Sequence, residues 1–215
     1  MIERATFDAP TAADLEFRFR SGRLCLAFAG TVGARWHDGG YERLRTPADL
    51  ARWYVEAGLL DDAVPVTEAG LTRARTAREA VYRAAKALIA GRSPDPADEE
   101  TLNAAAAEPP LIPRMRGRAA TLAVPAAGAE GAALSTLARD AIELFTGPEA
   151  ERMRECESAE CSLLFVDLSR PGKRRWCSST ACGGKERAAN YRERQRNRPR
   201  DQKTHEDPVE GLSTF

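Results

Sequence analysis

The chain has 215 residues, 43% of them hydrophobic and 30% charged, and its 32 Lys and Arg balance 32 Asp and Glu to a formal net charge of zero. That is enough apolar material for a core, which excludes disorder throughout. Three other classes fall with it: no apolar run approaches the ~18 residues of a membrane span, Met1 to Asp14 is polar rather than signal-like, and five Cys are too sparse for a disulfide-built scaffold.

The expectation is a soluble, cytoplasmic protein of one large or two modest domains, with no membrane partner. Its neutrality is a cancellation. Residues 1–150 hold 18 basic and 21 acidic side chains, whereas residues 170–200 hold 11 basic and only 2 acidic. An anionic partner responds to the local field of such a segment, not to the average.

Leu24 to Val32 is nearly continuous in apolar residues and reads as a buried strand or the start of a helix. Cys25 inside it has no neighbouring Cys and reads as a small buried hydrophobe. Thr46-Pro47 opens a helix, with Thr as cap and Pro at the first position. Leu50, Trp53, Tyr54 and Ala57 continue it to Gly58. Thr67 starts a longer helix, whose inner stripe runs from Leu71 to Ile89 with Arg78 its one charged member. Asp95-Pro96 starts a third, to about Ala107. Three prolines, at 109, 110 and 113, form a linker, and Arg114 to Val124 reads as a short hairpin. Gly131 to Phe145 is a fourth helix. His37 and the pair Glu99-Glu100 suggest no chemistry; the acids complement a helix N-terminus. No phosphate loop, hydrolase triad or HExxH is present.

Chemistry enters with Cys156, Cys161, Cys177 and Cys182, spaced as C-x4-C, 15 residues, C-x4-C. Two short loops, each presenting a pair of thiolates, complete the tetrahedral shell that Zn2+ takes. Two disulfides or an iron–sulfur cluster are the competing readings. Between the pairs, residues 163–166 and 173–176 read as two strands of a hairpin around the turn Ser169-Arg170-Pro171-Gly172. A helix follows Cys182, giving a treble-clef order. With four protein ligands no metal position is open, so catalysis is not expected.

The helix from Gly184 to Arg198 places Gly184, Ala188, Tyr191 and Gln195 on one narrow face, expected to pack on the zinc hairpin near Phe165 or Trp176. Lys185, Arg192 and Arg196 form one basic ridge, and Arg187, Arg194 and Arg198 the other. Glu186, Asn190, Glu193 and Asn197 lie outermost. Two basic ridges around a polar strip suit a helix lying between phosphates, with Asn190 in reach of an adenine edge. Arg170, Lys173, Arg174 and Arg175 extend the field. Exposure of Trp176 or Tyr191 would favour single strands, which stack on aromatic rings. A protein-docking role, for instance on the acidic N-terminal part, and a redox-sensing zinc switch are the alternatives.

The stretches Cys156-Glu-Ser-Ala-Glu-Cys161, Leu164-Phe165-Val166-Asp167-Leu168-Ser169-Arg170, Arg174-Arg175-Trp176-Cys177-Ser178 and Cys182-Gly183-Gly184-Lys185 resemble the CGNR zinc finger. Leu24 to Phe28 with Gly30-Thr31, and the helix from Thr67 to Ala90, resemble the ABATE domain that precedes that finger. The resemblance implies a bacterial, stress-linked transcription regulator whose finger reads nucleic acid and whose N-terminal domain senses an effector. It implies that Cys156, Cys161, Cys177 and Cys182 are the zinc ligands. Two departures stand out. The signature's Asn-Arg is Gly184-Lys185 here, which keeps the charge but loses the bidentate fork. The Asp and Asn of an LDFVNT-like motif are Ala27 and Gly30.

The expected architecture is therefore α+β. A mainly helical N-terminal domain (1–148) precedes a small treble-clef-like four-cysteine finger (149–200) and an acidic, disordered tail (201–215). The expected activity is zinc-dependent binding of nucleic acid, double-stranded DNA in the first instance, by a protein able to form a homodimer.

Overall fold

The computed structural model describes residues 10–35, 40–158 and 161–196. His37, Asn197, Arg198 and the acidic tail lie outside them. The ambiguous apolar run resolves into a short helix, α1 (Leu24–Ala29), then β1 (Val32–Gly33), which pairs antiparallel with β2 (Tyr41–Glu42). Helices α2 (Pro47–Glu56), α3 (Glu68–Ile89) and α4 (Pro96–Ala107) follow the capping signals closely, and α5 (Ala129–Thr146) begins without a side-chain cap. Thr46 accepts from Asp49 N–H while the Asp49 carboxylate returns to Thr46 N–H, a reciprocal cap. Thr67 and Asp95 cap α3 and α4. Between α4 and α5 stands the hairpin β3 (Ile112–Arg116) and β4 (Ala119–Ala123). The chain ends in β5 (Met153–Glu155), β6 (Leu164–Val166) and α6 (Cys182–Arg196).

Helix α3 is the axis. Its N-terminal half, with Leu71 and Ala74, packs with Phe28, Leu50, Trp53, Tyr54, Ala133 and Leu137 in one cluster. Its C-terminal half, with Ala80, Val81, Ala84 and Ala85, packs with Cys25, Leu26, Ala141 and Leu144 in a second. Cys25 is fully buried as expected, and burial pushes its thiol pKa well up.

Arg78, the one charge on the inner stripe, is buried and fully engaged. It donates to Glu42 Oε1 at 2.6 Å, to Glu79 Oε1 at 2.9 Å and to Thr31 Oγ1 at 3.3 Å. Arg43 is likewise buried, donating to the carbonyls of Asp14 and Gly30 and to the Tyr41 hydroxyl. Both arginines tie irregular chain to the helices through groups that would otherwise be unpaired.

The hydrophobic core does not stop at residue 148. β5 and β6 pair antiparallel, with Met153 opposite Val166 and Glu155 opposite Leu164. Met153, Leu164 and Val166 belong to the cluster formed by α1, α3 and α5. Val166 N–H donates to Ser21 O at 2.9 Å, and Lys86 of α3 pairs with Glu155. Gly30, at the position of the family's Asn, leaves room for Leu163: a Cβ there would collide with Leu163 Cδ2. Leu164→Ala should therefore lower the unfolding free energy by about 2–5 kcal/mol. The loss should appear in the helical circular-dichroism transition of the whole protein, not only in zinc retention.

Candidate metal centre and basic helix

The first thiol pair sits in the β5–β6 loop. Cys156 N–H donates to Leu163 O at 3.0 Å, which continues the ladder past β5. Cys161 N–H donates to Ser158 O at 2.9 Å. The second pair brackets a turn ahead of α6. The Ser178 hydroxyl accepts from Ala181 N–H at 3.1 Å, and its carbonyl accepts from Gly183 N–H at 2.9 Å. Cys182 is the first residue of α6.

The expected second strand at 173–176 does not form. β6 pairs with β5 instead, and residues 172–175 have no regular structure. A buried side chain holds that segment. Asp167 accepts from Ser169 N–H and Oγ and, at 2.8 Å, from Arg174 N–H. Burial pushes its pKa up, but the bonds from Ser169 and Arg174 outweigh this and hold it below the usual value. Glu157 N–H also donates to Arg175 O. Asp167 and Ser178 were not singled out from the sequence. Their signals are an Asp opening a Ser-Arg-Pro-Gly turn and a Ser shortly before a helix start.

These contacts bring the four sulfurs within 4.8 Å of one another. Cys161 Sγ lies 3.7 Å from Cys177 Sγ, which lies 3.6 Å from Cys182 Sγ. A tetrahedral shell with Zn–S bonds of about 2.3 Å has sulfurs about 3.8 Å apart. The spacing thus fits zinc, and it exceeds the ~2.05 Å of a disulfide. All four cysteines are buried, sleeved by Leu163 and Phe165 with Trp176 alongside. Cys177 N–H points at Cys156 Sγ, 3.4 Å away, as donors should around an anionic thiolate shell. The chain has a zinc-binding site built from thiols.

The crowded thiols differ in acidity. Hydrogen bonds from Cys161, then Cys177, draw the Cys156 pKa down to about 2. The bond that Cys161 donates to Cys156 pushes its own pKa up to about 12, and Cys177 is pushed up by its bonds to Cys156 and Cys161. Zinc takes thiolates, so its uptake releases thiol protons, and the raised Cys161 and Cys177 thiols add to that release. Zinc affinity should therefore rise with pH across the neutral range and fall on acidification. Calorimetry of zinc uptake in buffers of different ionisation enthalpy should register the released protons.

Helix α6 departs from expectation. Cys182 and Gly183 are buried, but Ala188, Tyr191 and Gln195 are exposed, Tyr191 at 64%. The face expected to pack on the zinc hairpin faces water, because α6 runs outward from the knuckle and only its first turn meets Trp176. Arg192, Arg194, Arg196, Lys185 and Asn190 are exposed, and Arg187 is exposed while donating to Ser179 O at 3.0 Å.

On the knuckle, Arg170 and Lys173 are exposed. Arg175 is exposed too, but pairs with Glu157 and lies over the Trp176 ring. Arg174 is occupied: its guanidinium donates to Cys177 O at 2.7 Å and lies 5.0 Å from the Phe165 centroid, bracing the second thiol loop.

The ABATE family model, described as "Putative stress-induced transcription regulator", matches residues 22–148, and the CGNR zinc finger model matches residues 152–195. No curated protein matches the chain. No helix among the described residues is long and apolar enough to cross a membrane.

Proposed function

Because this chain belongs to the ABATE family and carries a CGNR zinc finger, we propose that it is a zinc-dependent transcription regulator that binds nucleic acid through α6. In this reading Cys156, Cys161, Cys177 and Cys182 hold the zinc, residues 149–200 form the reader, and residues 1–148 form the regulatory module. Both matched families are of regulator and zinc-finger type, not enzymes.

The observation that carries the reading is the helix without a packed face. Beyond Gly183, α6 contributes nothing to any apolar cluster, although its sequence is rich in Arg. An isolated helix of this length is marginal in water. Here zinc and the Ser178 turn nucleate it, and its outer length stays free to enter a major groove about 12 Å wide. Arg192, Arg194 and Arg196 are exposed, which favours an outside partner over internal docking of this stretch. Lys185, Arg187, Arg192, Arg194 and Arg196 would meet phosphates and Asn190 a base edge. Arg170, Lys173 and Arg175 would flank them. Arg174 serves the fold. A homodimer would set two such helices on half-sites about 34 Å apart.

Exposed Tyr191 favours a second reading, single-stranded nucleic acid stacked on the ring. Titrating zinc-loaded protein with a duplex and with its separated strand, across a salt series, tests both. Duplex binding should weaken with a log–log slope of about −0.9 per phosphate neutralised. Replacing Arg192, Arg194 and Arg196 together by Gln should flatten that slope by up to ~2.7. Tyr191→Ala should cost about 1–3 kcal/mol on the single strand and little on the duplex. Absence of binding to either at low salt would sink the proposal.

A further inference from the structure

A second basic element stands at the other end of the protein, outside the finger. The hairpin β3–β4 carries Arg114, Arg116 and Arg118, and residues 109–129 contain no Asp or Glu. All five residues of β3 are exposed. Among the described residues no hydrogen bond or ion pair engages these three guanidinium groups, whereas Arg23, Arg35, Arg43, Arg75, Arg78 and Arg83 of the same domain are all engaged.

The register fixes what the hairpin presents. Arg114 lies opposite Thr121 and Arg116 opposite Ala119, so small residues flank the arginines on their face of the ribbon. Side chains alternate along a strand. Pro113, Met115 and Leu122 therefore share the other face, and Leu122 packs on the core. The turn is two residues long, with Gly117 at φ +62° in its first position, and it carries Arg118 at the tip. Such a turn is tight and ordered in advance. A bare two-stranded ribbon gains little from folding by itself, and a two-stranded ribbon is one of the shapes a major groove admits.

We propose that β3–β4 is a second nucleic-acid contact, an arm whose Arg114, Arg116 and Arg118 grip phosphates of the same molecule that α6 engages. The proposal rests on the nucleic-acid reading of the finger. The arm is rooted through Leu111 and Leu122 in the cluster around Leu71, and the finger hairpin is rooted in the cluster around Ala85. These positions lie on α3, fourteen residues and about 21 Å apart. The two roots therefore lie less than one duplex turn of ~34 Å apart.

The test uses the full-length, zinc-loaded protein and a labelled mixed-sequence duplex of about 30 bp, roughly three turns. The three Arg→Gln changes at 114, 116 and 118 touch no contact in the fold, so circular dichroism and zinc content should be unchanged. The log–log salt slope should flatten by about 0.9 per lost contact, up to ~2.7 in the triple variant. Arg45→Gln, which removes one exposed charge elsewhere, should leave the slope unchanged where Arg116→Gln flattens it. A slope unaltered in the triple variant while wild type still binds overturns the arm alone, as does an equal effect of Arg45→Gln. Wild type that fails to bind the duplex at low salt overturns the arm together with the duplex reading of α6.

Discussion

The rest of the molecule depends on one three-residue strand with two working faces. Leu164 and Val166 of β6 enter the core of the helical region, beside Leu26, Val81 and Leu144, while Phe165 between them joins the cluster that sleeves the four sulfurs. Strand periodicity makes this unavoidable, since neighbouring side chains leave on opposite sides. The zinc shell and the helical core are therefore two sides of the same backbone. Loss of one withdraws packing from the other, because interiors at crystal-like density transmit displacement rather than absorb it. The finger is a continuation of the N-terminal domain, not a separate bead.

That arrangement explains how so sparse a module holds its shape. Few apolar side chains surround the sulfurs. Short polar links do the rest: Asp167 on the turn, Ser178 ahead of the helix, and Arg174 on the Cys177 carbonyl. Each satisfies backbone groups that a longer hairpin would have paired in a ladder. Zinc supplies the remaining stability, of a size that in small metal-held modules decides folding. α6 is nucleated at its zinc end and leaves its outer length uncommitted.

Zero net charge takes on physical meaning in this frame. Several acidic groups of the helical region have internal partners: Glu42 and Glu79 on Arg78, Asp98 on Arg83, Asp140 on Arg23. Arg192, Arg194 and Arg196 of α6 and Arg114, Arg116 and Arg118 of the β3–β4 arm face water instead. A global average hides two local positive fields, and these are what a polyanion meets.

Much was legible in the residue order. Thr-Pro and Asp-Pro caps located α2 and α4, Thr67 located α3, and the spacing of four Cys identified a zinc site, because capping and ligand geometry are local. Three things were not legible. The run from Leu24 suited a strand or a helix equally, and only its packing against α3 and α5 made it helical. The partner of β6 proved to be β5 rather than residues 173–176, since pairing depends on which backbone the core brings near. The faces of α6 followed from its sequence, but whether any was covered did not: a helical wheel gives directions around an axis, and only tertiary structure decides where the axis goes. Sequence alone determined the metal site and the sign of the charge, both carried by residue type and spacing. The tertiary structure decided that the zinc shell and the helical core share one strand and that most of α6 and the β3–β4 arginines face water, because burial belongs to the whole chain.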